Sequence, residues 1–258
     1  MALGNKMKKP IIVVLVLTSC LAASAFAQVA DFFDLVRTGT PKQIQAAVDQ
    51  GADINSRNTD GSTPLIYAAA SNRNDEVITI LLKAGSNVEA RNKAGTTVLM
   101  AAASFNQSPE VIKTLLAAGA DIEDRDEIGW TPLMCAAGGN GNPEVITALL
   151  KGGAEINAQD SNGVSPLMYA ASGNPNTLVV TTLLRAGADI NALDTSSRTP
   201  LMYAASGNQN PEVILAMLKG GADTKAKDKA GKTAFEYAKD NAKLKGTDVL
   251  KILNEAAH

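Results

Sequence analysis

One phrase recurs along this chain at a fixed step of 34 residues. It reads GSTPLIYAA from Gly61, GTTVLMAAA from Gly95, GWTPLMCAA from Gly129, GVSPLMYAA from Gly163, SRTPLMYAA from Ser197 and GKTAFEYAK from Gly231. A unit of that length is too small to bury its own apolar face, so such units are stable only when they stack side by side into an elongated array with one continuous core. The period therefore dictates the architecture before any single residue is considered.

Within a unit, the residues at the joints predict a turn, a short helix, a second helix and an extended return. In the third full unit, Thr131 before Pro132 places a capping hydroxyl ahead of a proline at the first helical position, where the missing N–H costs nothing. Leu133, Met134, Ala136 and Ala137 then form a helix of largely small residues, and the paired alanines let neighbouring helices approach closely. The helix ends at Gly138-Gly139-Asn140, and the next begins at Asn142-Pro143-Glu144, with an acid at the positive end of its dipole. Ser108-Pro109-Glu110 and Asn210-Pro211-Glu212 repeat that start. Val145, Ile146, Leu149 and Leu150 fall at helical spacing on one stripe, and Gly152-Gly153 closes the helix.

These motifs resemble those of the ankyrin-repeat family, whose pattern is a G-x-TPL-x-x-AA helix, an E-V-x-x-LL helix and a GAD-x-N return. The resemblance covers about residues 31 to 258. It comprises a leading unit over about 31–57, five repeats starting near Asn58, Asn92, Asp126, Asp160 and Asp194, and a closing unit over 228–258. It implies an all-α solenoid of helix-turn-helix units with protruding β-turn fingers and a concave binding face. Two departures stand out. Each unit has one residue more than the family's usual 33, placed between the two helices. The family's usual histidine after TPL is replaced by Ile66, Met100, Met134, Met168 and Met202, which predicts an apolar contact where a polar link between repeats is usual.

The first thirty residues have a different character. Lys6, Lys8 and Lys9 precede the aliphatic run Ile11 to Leu17, and Ala25-Phe26-Ala27 supplies small residues at the positions a signal peptidase reads. Residues 1–27 are expected to be a secretory signal cleaved after Ala27, leaving 28–258 as the repeat domain. The apolar run is shorter than the roughly 20 residues a bilayer core requires. Leu17-Thr18-Ser19-Cys20 also resembles a bacterial lipoprotein box, in which Cys20 would be acylated and become the new N-terminus. The first route predicts a periplasmic or secreted protein, the second a membrane-anchored lipoprotein, and a membrane is a partner only on the second.

Removal of residues 1–27 takes away three lysines and no acid, so the net charge falls from −2 to −5. A mildly acidic chain disfavours nucleic acid as a partner, since that calls for a concentrated basic surface. The eight lysines from Lys225 to Lys251 are interleaved with acids such as Asp228, Glu236 and Asp240, a pattern expected of a solvated end cap.

Catalytic constellations are not found. The single histidine, His258, is the last residue, so neither a histidine triad nor an imidazole base can be assembled. Cys135 lies inside a helix-forming phrase, and its expected role is packing. Glu123, Asp124, Asp126 and Glu127 surround Arg125 without EF-hand spacing, so no metal site is predicted. A non-catalytic protein that uses no cofactor is expected.

What the resemblance implies instead is recognition of another protein by turn tips and inner helices, with the chain a monomer. Most tips are small or polar and suit a rim. Trp130, the only tryptophan, is the exception. With Ile128 beside it, Phe105 on the preceding repeat, and Arg125 and Lys93 as a frame, it is the expected anchor, and Glu127, Val164 and Arg198 complete the candidate surface. Three roles stay open at this point: a scaffold in the bacterial cell envelope, a secreted effector that binds host proteins, and a lipid-anchored envelope spacer.

Overall fold

A computed structural model describes residues 32–174 and 176–257. The cleavage after Ala27, Cys20 and His258 lie outside the described residues. After a first helix α1 over 32–38 come α2 (Pro41–Asp49), α3 (Pro64–Ser71), α4 (Asp75–Lys83), α5 (Val98–Phe105), α6 (Pro109–Ala117) and α7 (Pro132–Gly139). They are followed by α8 (Pro143–Lys151), α9 (Pro166–Gly173), α10 (Thr177–Arg185), α11 (Pro200–Gly207), α12 (Pro211–Lys219), α13 (Ala234–Asp240) and α14 (Asp248–Ala257). Among the described residues the returns form no strand beyond one isolated antiparallel bridge, Arg91 to Thr97. No described helix is long and apolar enough to cross a membrane. The fold is an all-α repeat solenoid.

Helices α3, α5, α7, α9, α11 and α13 pack in succession as an inner row, and α2, α4, α6, α8, α10, α12 and α14 as an outer row. The inner helices are eight residues long or shorter, too short to be stable alone. They hold because most of their side chains are buried in the central units: in α7, Pro132 through Ala137 are all in the core. The outer helices bury one stripe each, Val145, Ile146, Ala148 and Leu149 in α8. Alanine pairs such as Ala136 and Ala137 carry no exposed surface, consistent with closely approaching inner helices.

Capping follows the sequence with one difference. Asn142 and Asn210 each accept the backbone N–H two residues on, but Ser108, at the matching start of α6, makes no side-chain cap bond. At the inner helices the hydroxyls of Thr97, Thr131, Ser165 and Thr199 accept the N–H of the methionine three residues later, at 3.2–3.3 Å. The methionine sulfur in turn accepts the backbone N–H of the capping residue at 3.4–3.5 Å. The methionines are thus buried filler, as expected, and also close a capping box in which sulfur stands where a carboxylate or amide oxygen usually does. In the last unit Glu236 has that role toward Thr233.

The ends of the inner helices hold a structure the sequence analysis did not single out. Asn72, Asn106, Asn140, Asn174 and Asn208 end the inner helices and are buried, and Asn241, part-buried, ends the last. Each sends its Nδ2 into the preceding unit. Asn140 donates to the carbonyls of Ala103 (2.9 Å) and Asn106 (2.7 Å), Asn174 to those of Ala137 and Asn140, and Asn208 to those of Ala171 and Asn174. Each Oδ1 accepts the N–H two residues on, as Asn140 does from Asn142 at 2.9 Å. An asparagine ladder therefore runs down the stack, satisfying backbone groups that the tight helix-to-helix turn would leave buried without partners.

The fingers are closed turns. A backbone bond joins Asp160 N–H to the Val164 carbonyl, and the same bond recurs from Asn58 to Ser62 and from Asp194 to Arg198. The turn glycines sit at positive φ, and at Gly163 (φ 76°) an added Cβ would also come within 3.0 Å of the Thr195 nitrogen of the next finger. Ser197 holds the same place in its unit at φ 61°, the only positive-φ residue among those described that is not glycine. Left-handed backbone costs a serine roughly 1 kcal/mol, and glycine gives back part of that as backbone entropy. Ser197→Gly is expected to raise unfolding free energy by about 0.5 kcal/mol, measured as a higher denaturant midpoint at unchanged slope.

Candidate functional site

The inner face presents one residue of every inner helix and one of every finger. At the position after the turn glycine stand Ser62, Thr96, Trp130, Val164, Arg198 and Lys232. The chain here turns back onto the stack: Ser62 and Val164 are buried, Thr96, Trp130 and Arg198 are half-buried, and Lys232 is exposed. Val164, expected on the binding surface, is 6% exposed and offers a partner nothing. Trp130 is half-buried, its ring edge-on to Tyr169 of the next unit with centroids 4.6 Å apart. Ile128 at the finger tip is 53% exposed, and Glu127 beside it is also exposed.

The residues expected to frame Trp130 have internal tasks. Arg125 donates to the carbonyls of Gly129 (3.0 Å) and Gln159 (2.7 Å), fastening its own finger to the following return. Arg57 does the same toward Gly61 and Arg91. Lys93 donates to the Thr59 carbonyl of the preceding finger at 2.8 Å. Three of the four acids around Arg125 are separately engaged: Glu123 accepts the Glu155 N–H, Asp124 pairs with Arg91, and Asp126 organises its own turn.

Arg198 belongs to a network that the sequence analysis did not foresee. Tyr169, Tyr203 and Tyr237 donate their hydroxyls to Asp160 (2.5 Å), Asp194 (2.8 Å) and Asp228 (2.6 Å), each nine residues earlier. Arg198 binds Asp194 at 2.8 Å and lies over the Tyr203 ring at 4.6 Å. Burial and the Asp160 carboxylate push the Tyr169 hydroxyl well above the ordinary phenol range, so it stays a donor. Burial acts to raise the Asp194 carboxyl, but hydrogen bonds from the Arg198 and Ser196 backbone, the Tyr203 hydroxyl and the Arg198 guanidinium outweigh it and hold the group below its usual value. A folded-state value that is depressed stabilises above the unfolded value and is lost as pH falls through the folded one. Stability is therefore expected to decline as pH drops below about 4, and Asp194→Asn to flatten that decline in denaturation midpoints taken at stepped pH. The sequence signal was the nine-residue interval between Asp and Tyr, repeated three times.

The tyrosine row is interrupted. Tyr67 heads it, edge-on to Phe33 at 5.2 Å, but the next two units carry Ala101 and Cys135 in the same place. Cys135 is buried, and its thiol is pushed up to about 12, by burial first and then by the charge of Asp126, so it remains protonated. At Ala101 the face drops into a groove of about 470 Å³ between Tyr67 and Phe105, with Asn92 and Thr96 along one side. Phe105 is 69% exposed, the most exposed large apolar side chain among the described residues. Phe105 walls this groove with Tyr67, and Trp130 leans onto Tyr169.

A search of curated proteins gave no match. Models of ankyrin repeats match along the chain, one for three copies over residues 32–126 and 102–194, and one for many copies over residues 183–238. Ankyrin repeats generally mediate protein–protein interaction. With the stacked helix pairs, the closed fingers and these matches together, the chain belongs to the ankyrin-repeat family.

Proposed function

We infer that this protein is a non-catalytic scaffold of the bacterial cell envelope that holds another protein against its inner face. The observation that carries the reading is Phe105. A phenylalanine 69% exposed at the lip of a groove, on a helix whose other residues are almost all buried, has no role in the stack. Such a residue suits an interaction anchor. Its counterparts in neighbouring units are Ser71, Gly139, Gly173 and Gly207. Export rests on the leader pattern before Ala27, and a membrane partner only on acylation of Cys20.

The test is a pull-down from envelope extract with the wild-type protein, Phe105→Ala and Trp130→Ala in parallel, read by mass spectrometry. A protein retained by wild type is expected to be lost from Phe105→Ala by tenfold or more, in keeping with about 2 kcal/mol for a truncated aromatic anchor. Trp130→Ala is expected to weaken binding and also to lower thermal stability, because the Tyr169 ring loses its edge contact. A partner retained equally by all three would remove the inner face from the mechanism.

A further inference from the structure

The interruption at Ala101 has the form of a tyrosine site whose tyrosine is missing. In the preceding unit Asn58 donates its Nδ2 to the Tyr67 hydroxyl at 2.9 Å, while its Oδ1 accepts the Ser62 N–H. In the next unit Asn92 stands in the same place. Its Oδ1 accepts the N–H groups of Ala94 (3.0 Å) and Thr96 (2.9 Å), which fixes the orientation of the amide. The residue nine positions on, which supplies the phenol in the first, fourth, fifth and last of these units, is Ala101. Among the described residues the Nδ2 of Asn92 has no acceptor, and Asn92 lines the groove.

We propose that this groove receives a tyrosine side chain from the bound protein, with the phenol oxygen accepting a hydrogen bond from Asn92 Nδ2. The ring lies between Tyr67 of the preceding unit and Phe105 of the groove's own unit, which supply its aromatic walls. Other guests fit less well. An aliphatic side chain would cover the Asn92 amide and leave a donor unpaired. A carboxylate would meet Asp60, which also lines the groove and already accepts from the Ser62 hydroxyl, while Arg37, the cation in the lining, is already paired with Asp34 at 3.7 Å. A tyrosine is the guest the fold already accommodates at equivalent places, as Asn58 with Tyr67 and Asp194 with Tyr203 show. The proposal rests on the protein-binding reading but names the chemistry of the bound segment.

The probe is N-acetyl-tyrosine amide, titrated into the full chain to tens of millimolar, with N-acetyl-phenylalanine amide as its control, read by amide NMR. Saturable shifts are expected at the Asn92 side-chain amide and at Ala101, with the phenylalanine probe about fivefold weaker for want of the hydrogen bond. Ala101→Tyr, which fills the groove from within, is expected to abolish the shifts and to leave the fold at least as stable. No saturable shift in wild type, or equal affinity for the two probes, overturns the proposal without reference to the variant. A partner captured by wild type and equally by folded Ala101→Tyr would also overturn it while leaving the scaffold role intact. Tyrosine-selective shifts without any captured partner would support the groove and count against the scaffold role.

Discussion

Replacing Asn140 with alanine is expected to lower unfolding free energy by about 3 kcal/mol. Asn140 is fully buried at the boundary between the second and third repeats. Its loss strands the Ala103 and Asn106 carbonyls on one side and the Asn142 N–H on the other. Buried polar groups left unpaired cost about 1–3 kcal/mol each, and partial relaxation or water entry keeps the sum below the maximum. Because each unit contacts only its neighbours, the damage falls on one boundary. Denaturant unfolding followed by circular dichroism should therefore lose the wild-type cooperativity and separate into two transitions. Asn140→Asp provides the contrast. It keeps the acceptor for Asn142 but faces two carbonyls with a carboxylate, so it is expected to be at least as unstable at neutral pH. If Asn140→Ala melted within 0.5 kcal/mol of wild type, water would be replacing the ladder and its structural role would be lost.

The second large effect lies one turn deeper. Met134 is fully buried, and its sulfur accepts the Thr131 N–H at 3.5 Å. Met134→Ala opens a cavity in the inner row and is expected to cost about 2–5 kcal/mol, as large-to-small changes in close-packed cores do. Met134→Leu keeps the volume and removes the sulfur, so it isolates the weak capping contact, with an expected loss below about 1.5 kcal/mol. The difference between the two variants, taken from denaturant midpoints at equal slope, separates packing from hydrogen bonding. Near-equal losses would mean that the sulfur, rather than the volume, holds the helix start.

The stack could be read from the chain because its signals are local and repeated. Thr131-Pro132, Gly152-Gly153 and Asn142-Pro143-Glu144 each specify a joint through backbone chemistry that does not depend on the neighbouring unit. The inner surface could not be read in the same way, because exposure there depends on how each side chain meets a backbone that turns inward. Val164 and Trp130 occupy the same register, yet the short side chain is covered and the long one emerges. Arg125 and Lys93 read as free cations, but their reach lets them fasten carbonyls 34 residues away. The ladder was present in the chain as an asparagine every 34 residues from Asn72 to Asn208. Its position at a helix end does not reveal its reach, because an asparagine there ordinarily bonds to its own backbone and here only Oδ1 does so.

That ladder also governs how this array can change length. Every rung offers the next unit the same pair of carbonyls that it takes from the one before, so donor and acceptor patterns match across any boundary between like units. A whole 34-residue segment can be duplicated or excised within the series and the cut edges will still find their partners, and a rung also tolerates a one-residue change of step, since Asn241 stands 33 residues after Asn208 and still reaches the Ala205 and Asn208 carbonyls. Genes for such an array are free to lengthen or shorten by complete units, and the span of inner surface offered to a partner can change without a new fold being invented.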